Sequence, residues 1–150
     1  MDLSSEKLTA LETHAKDLRK RTLQFALETG LGHIGGCFSA IEIFASLYDV
    51  VLKDNDRFIL SKGHACLPYY LLLREKGYNP HITGHPDINP ENGIYCSTGS
   101  LGHWLPIARH LALLHPAELV PRVAAGVFGE PAEVVERRPE PRHGFLSHDV

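Results

Sequence analysis

Apolar positions recur at spacings of three and four through the first thirty residues, at Leu8, Leu11, Ala15, Leu18, Thr22 and Phe25. That period predicts an amphipathic helix. Ser4 or Ser5 is placed to cap its start and Gly30 to end it. Lys7, Lys16, Lys20 and Arg21 fall on the other face and read as solvated charge. Residues 30–36 read as a loop, and Ser39-Ala40-Ile41-Glu42 matches a capping box opening a second helix to about Tyr48. A polar turn, Lys53-Asp54-Asn55-Asp56, precedes the short apolar run Arg57-Phe58-Ile59-Leu60. Such a run, followed at once by Ser61-Lys62-Gly63-His64, predicts a buried strand feeding a ligand loop. A third helix is expected over residues 65–76, with Pro68 in its first turn and Gly77 past its end. Residues 78–102 lose periodicity and collect Asn79-Pro80, His85-Pro86, Asn89-Pro90 and Asn92-Gly93. A stretch this long without periodicity inside a compact domain points to function. A fourth helix is expected over 101–114.

The pattern changes near residue 109. From there on Ile, Thr, Asn, Tyr and Lys vanish, and Arg, Ala, Val, Glu, Leu and His dominate, with prolines at 116, 121, 131, 139 and 141. No amphipathic stripe runs through this part. Residues 109–150 are expected to form a divergent Pro/Arg-rich tail, disordered or foreign to the preceding fold. A length of 150 residues suits one domain with a real core. A formal charge of -3 gives no basic field for nucleic acid or an anionic membrane. No apolar run approaches the roughly 20 residues of a membrane helix, and the charged N-terminus is not a signal peptide. Cys37, Cys66 and Cys96 are far apart and odd in number, which predicts reduced thiols in a cytoplasmic protein.

The chemistry-bearing feature is a repeated dipeptide. Glycine precedes histidine at Gly32-His33, Gly63-His64, Gly84-His85 and Gly102-His103. Glycine allows close approach of backbone to a ligand. Imidazole nitrogens address phosphate or hydroxyl oxygens and move protons near neutral pH. Loops of this kind converging on one cleft would suit a polar, phosphate-bearing ligand. Lys62 reads equally as a strand-end surface lysine or a phosphate ligand. The other histidines toward the C-terminus, and His81, have no such setting.

Four segments occur in the order and spacing of transketolases: Gly32-His33-Ile34-Gly35-Gly36, Arg57 to Ala65, Gly84-His85-Pro86 and Ser97-Thr98-Gly99-Ser100-Leu101-Gly102. Over residues 8–108 the chain resembles the N-terminal, thiamine diphosphate-binding section of that family, close to the form made as a separate subunit. The resemblance implies an α/β fold: a partial thiamine diphosphate-binding fold with helices flanking a parallel sheet, incomplete in this chain. With one strand recognisable, the sheet is expected to lean on a partner. Residues 1–108 would be the N-terminal part of the binding domain. The implied activity is transfer of a two-carbon ketol unit between sugar phosphates, as in the pentose phosphate pathway. His33, His64 and His85 would be catalytic. His64, Gly99, Ser100, Leu101 and Gly102 would approach thiamine diphosphate, carried with magnesium. Implied partners are sugar phosphates, further copies of the chain in a homo-oligomer, and a transketolase C-terminal subunit.

Departures from the family are as specific. Trp104 stands where the family has glycine, and no Gly-Asp pair occurs anywhere; after Asp87 the next aspartate is Asp149. The family's metal-holding Asp and Asn are therefore missing, as is its second cofactor-binding domain. The chain is expected to be truncated or altered after about residue 108 and inactive in isolation. The alternative is a non-catalytic binding or regulatory fragment that pairs with a full transketolase subunit. A zinc site built from His33, His64, His85, His103 and the cysteines is disfavoured, because the short local ligand spacings of such sites are absent.

Overall fold

The computed structural model describes residues 4–53, 56–100, 106–107, 123–126 and 133–135. The first amphipathic stripe forms helix α1, Ser5–Thr29. The Ser4 hydroxyl accepts from the Lys7 amide, and Gly30 closes the helix in the left-handed region at φ 65°, its amide donating to the Ala26 carbonyl. Ala15, Leu18, Thr22, Phe25 and Ala26 are buried, whereas Leu8 is 51% exposed because the core ends short of the first turns.

Two expectations for the next segment are corrected. Ile34–Phe38 is not loop but one helical turn, α2, closed by the Cys37 amide on the His33 carbonyl at 2.9 Å. The Gly35-Gly36 pair hides it from propensity. The capping box is not made either. Helix α3, Ile41–Ser46, has Ala40 at its N-cap and no side-chain cap. Ser39 is itself in right-handed helical conformation and ends α2. Its hydroxyl donates to the Gly36 carbonyl and accepts from Lys62, while Glu42 pairs with Arg19. A π turn, Leu47–Val51, follows α3 and directs Leu47 and Tyr48 into the core.

Strand β1, Arg57–Leu60, and helix α4, Cys66–Glu75, lie where the apolar runs place them, joined by a 3-10 turn at Gly63–Ala65. Helix α4 is apolar nearly all round and packs against α1 and α3. Phe58 of β1 meets the Phe44, Tyr48 and Tyr69 rings at centroid distances of 5.7, 5.7 and 5.3 Å, the edge-on geometry that aromatic quadrupoles favour. The sheet does not rest on β1 alone. Strand β2, Val123–Gly126, pairs parallel with β1, and β3, Glu133–Val135, pairs antiparallel with β2. The result is a small mixed sheet in the order β1-β2-β3, with both added strands from the segment read as a tail. The remainder of 109–150 and most of the predicted fourth helix lie outside the described residues. Among the described residues no helix is long and apolar enough to cross a membrane.

Residues 78–100 hold their shape through side chains bonded to backbone. The Tyr69 hydroxyl donates to the Gly93 carbonyl at 2.8 Å, and Asn92 Oδ1 accepts from the Asn79 amide at 2.9 Å. Ile88 and Thr98 donate their amides to Ser97 Oγ and the Pro86 carbonyl. This satisfies backbone groups that no ladder reaches.

A polar cluster clamps α1, the π turn and α4. His14 Nδ1 lies 2.5 Å from Asp49 Oδ2, and His14 Nε2 lies 3.3 Å from Glu75 Oε2. Arg21, expected to be solvated, bridges Glu75 at 2.5 Å and Asp17 at 3.1 Å. Both ring nitrogens face carboxylates, and only the imidazolium donates from both. Burial pushes the His14 pKa down, but Asp49 and Glu75 outweigh it and the net shift is upward from 6.5. A raised folded-state value means the cluster's contribution is complete below the ordinary histidine range and is lost as pH rises through the raised value. His14→Ala is expected to lower the thermal midpoint at about pH 5.5 by an amount worth roughly 0.5–1 kcal/mol. At about pH 9 that difference should shrink toward zero; a difference constant with pH contradicts the charge assignment.

Candidate active site

The carboxyl end of β1 leads through buried Ser61 and Lys62 to Gly63 and His64, which line a cleft of about 510 Å³. Its lining is His33, Gly35, Gly36, Ser39, Gly63, His64, His85 and Gly99. Three of the four Gly-His loops therefore meet in one place. His33 sits at the N-cap of α2, with its ring edge-on to that of His64 at a centroid distance of 5.6 Å. The backbone behind His64 is fixed twice: the Ala65 amide donates to the Lys62 carbonyl, and the Cys37 thiol to the His64 carbonyl at 3.5 Å. His85 is carried on a braced loop. Thr83 Oγ1 donates to the His85 carbonyl at 2.6 Å, the Cys66 thiol to the Gly84 carbonyl at 3.2 Å, and the Thr98 amide to the Pro86 carbonyl at 2.8 Å.

Two glycines are required by this convergence. A Cβ on Gly36 would stand 2.5 Å from His64 Cδ2, and one on Gly63 would stand 2.7 Å from Thr98 Cβ and 2.9 Å from His85 Cδ2. At Gly35 a Cβ would meet no heavy atom within 4 Å, so that face of the lining is open. Gly99 lines the cleft at φ 127°, a conformation side chains avoid. Ser100 is exposed and is not part of the lining. Leu101, Gly102, His103 and Trp104 lie outside the described residues.

The electrostatics favour anionic or hydroxyl oxygens. Burial, and then the charges of Lys62, His33 and His85, lower the His64 pKa from 6.5. Its ring is thus neutral at neutral pH, with one nitrogen to donate and one to accept. Lys62 is only 7% exposed, which removes the reading of a surface lysine. Its Nζ donates to Ser39 Oγ at 2.5 Å, and burial lowers its pKa. Ser39 is a cleft residue that the capping-box pattern disguises. Its signal is Lys62, a cation placed directly after an apolar strand. Cys37, Cys66 and Cys96 are free, and burial raises all three thiols, Cys66 to about 12. They behave as small apolar residues, not as nucleophiles.

The sequence profile described as transketolase, thiamine diphosphate binding domain, matches residues 13–122. The chain belongs to the transketolase family. It is similar to the 6-deoxy-6-sulfo-D-fructose transketolase subunit SqwG of Clostridium sp. (strain MSTE9), at 31% identity over 147 residues, covering 84% of this chain and 54% of that protein. It is also similar to an apulose-4-phosphate transketolase subunit from Actinobacillus succinogenes, 34% identical over 125 residues, with 69% of this chain and 45% of that one covered. Against the transketolase of Homo sapiens identity is 33% over 128 residues, covering 71% of this chain and 20% of the human protein. The chain thus spans about half the length of the subunit relatives and a smaller share of the long transketolases.

The residues present fit part of the family's cofactor. Glycines that pack only without a Cβ, an open face at Gly35, and imidazole donors suit an organic ligand rich in oxygen. A divalent ion bridging a diphosphate needs hard oxygen ligands. Among the described residues none of the lining side chains is a carboxylate, and no group of three or more His, Cys, Asp or Glu could hold a metal.

Proposed function

We propose that this chain is the N-terminal part of a thiamine diphosphate-dependent transketolase that moves a two-carbon ketol unit between sugar phosphates in carbohydrate metabolism. The observation that carries the proposal is the meeting of His33, His64 and His85 in one glycine-lined cleft at the carboxyl end of β1. When bound, thiamine diphosphate supplies the carbanion chemistry. The chain's own residues then do three things. His33 and His85, both exposed to the cleft, donate to hydroxyl and phosphate oxygens of donor and acceptor. His64, held neutral, accepts or returns a proton at a ring nitrogen. Gly99 lines the cleft, and the sequence run Gly99-Ser100-Leu101-Gly102 is the one assigned to the cofactor. The site would be completed by another subunit, as the subunit names of the relatives suggest; we take this to be a transketolase C-terminal subunit in a cytoplasmic oligomer.

Isolated, the chain should lack activity. The sequence, with no Gly-Asp pair, favours a second use, as a non-catalytic fragment paired with a complete transketolase subunit. Calorimetric titration with thiamine diphosphate and magnesium separates binding competence from family membership. The isolated chain should show no saturable binding in the micromolar range, since no aspartate stands between Asp87 and Asp149. A chimera should bind both. It carries Trp104→Gly and, after Ala108, a family-like continuation with Gly-Asp-Gly and the downstream Asn, and is co-expressed with a matching C-terminal half. Micromolar binding by the unaltered chain would overturn the assignment of a missing metal half.

A further inference from the structure

We propose that Lys62 is a positioning residue for His64: its side chain, buried and anchored on Ser39, converges with the imidazole on Gly36 and acts on the ring from there. Three observations place the groups. Lys62 is buried, and its Nζ donates to Ser39 Oγ at 2.5 Å. That hydroxyl spends its own proton on the Gly36 carbonyl at 3.1 Å, so it turns a lone pair to the ammonium. The arrangement selects a charged donor at Nζ over a neutral acceptor. A Cβ on Gly36 would lie 3.1 Å from His64 Nε2 and 3.6 Å from Lys62 Cε, so the two side chains converge on one glycine.

An ammonium in this position acts on the ring through space. Like charges held close together and partly withdrawn from water disfavour each other. The titratable groups facing His64 are Lys62, His33 and His85 across the cleft, with the Cys37 thiol of α2 on its carbonyl. Of the charges acting on His64, Lys62 is the largest, after burial itself. Ser39 and Gly36 belong to the segment that ends α2, so the same contact ties the mouth of that turn to the end of β1. The inference rests on the reading of His64 as a reacting group, but its test reads the imidazole directly and needs no cofactor or turnover.

The experiment is an NMR titration of the histidine ring protons in the full chain, with exposed His81 as internal reference. In the wild type, His64 should titrate below His81. Lys62→Met keeps length and removes charge, and should raise the proton affinity of His64 by several-fold to about tenfold while leaving His81 unmoved. Lys62→Arg keeps charge and should hold the His64 midpoint low. A folded Lys62→Met protein whose His64 midpoint is unmoved or lowered overturns the proposal. If Lys62→Met does not fold, the wild type decides: a His64 midpoint at or above that of His81 overturns it. The two readings fail separately. An unmoved His64 midpoint in an active chimera removes the role of Lys62 alone. A shifted midpoint in an inactive, cofactor-bound chimera removes the transketolase reading alone.

Discussion

Alanine at His33, His64 or His85 should each lower kcat of the chimera by on the order of 10²-fold, the usual contribution of a positioned acid, base or donor. KM should change much less. Their rings line the cleft; under the proposed function substrate oxygens would change charge there, so bonds from the rings would strengthen as the reaction proceeds and matter most in the transition state. The braces are backbone contacts: Cys37 on the His64 carbonyl, and Thr83 on the His85 carbonyl. Truncating the rings leaves those contacts in place, so loss of rate should come without loss of fold. Steady-state kinetics with a ketose phosphate donor and an aldose phosphate acceptor measures it. Near-parental kcat in all three variants would show the histidines to be structural.

Phe44→Ala should cost about 3–5 kcal/mol of unfolding free energy, the range for removing a buried aromatic ring. Phe44 is 2% exposed, packs edge-on to Phe58 and stacks on Tyr69 at 6.3 Å. It therefore joins α3, β1 and α4, the three elements that flank the segments carrying Ser39, Lys62 and His64. A domain typically holds only about 5–15 kcal/mol in total, so this one ring is a large part of the fold. Its neighbour Ile43, 45% exposed on the same helix, should cost under about 1 kcal/mol as alanine. Urea denaturation of both variants checks the contrast. Equal costs would mean that α3 is not packed through Phe44.

The legible parts of the sequence are those where one residue type has one physical use. Ser4 and Gly30 bound α1 because a cap needs an acceptor at one end and a left-handed residue at the other. The apolar run 57–60 could only be buried, and the Gly-His loops share a chemistry that made their meeting expected. Ser39 misleads because a cap serine and a lysine acceptor look alike in sequence, and only the position of Lys62 separates them. The turn α2 is hidden by two glycines, and its stability comes from burial of Cys37, which is tertiary. Strands β2 and β3 are four and three residues long, too short to show alternation, and are defined by pairing with β1. The His14 cluster joins residues 35 and 61 positions apart in the chain, and no local pattern reports a contact of that range.

Ketol transfer by the chimera is the most direct measurement of the central claim, that this glycine-lined cleft of three histidines is one half of a transketolase site. With Trp104→Gly, the restored continuation after Ala108 and a matching C-terminal half, the assembled protein should convert a ketose phosphate and an aldose phosphate. The unaltered chain with the same C-terminal half should not. A chimera that folds, assembles and binds thiamine diphosphate with magnesium, yet transfers no ketol unit to any aldose phosphate, would contradict the claim.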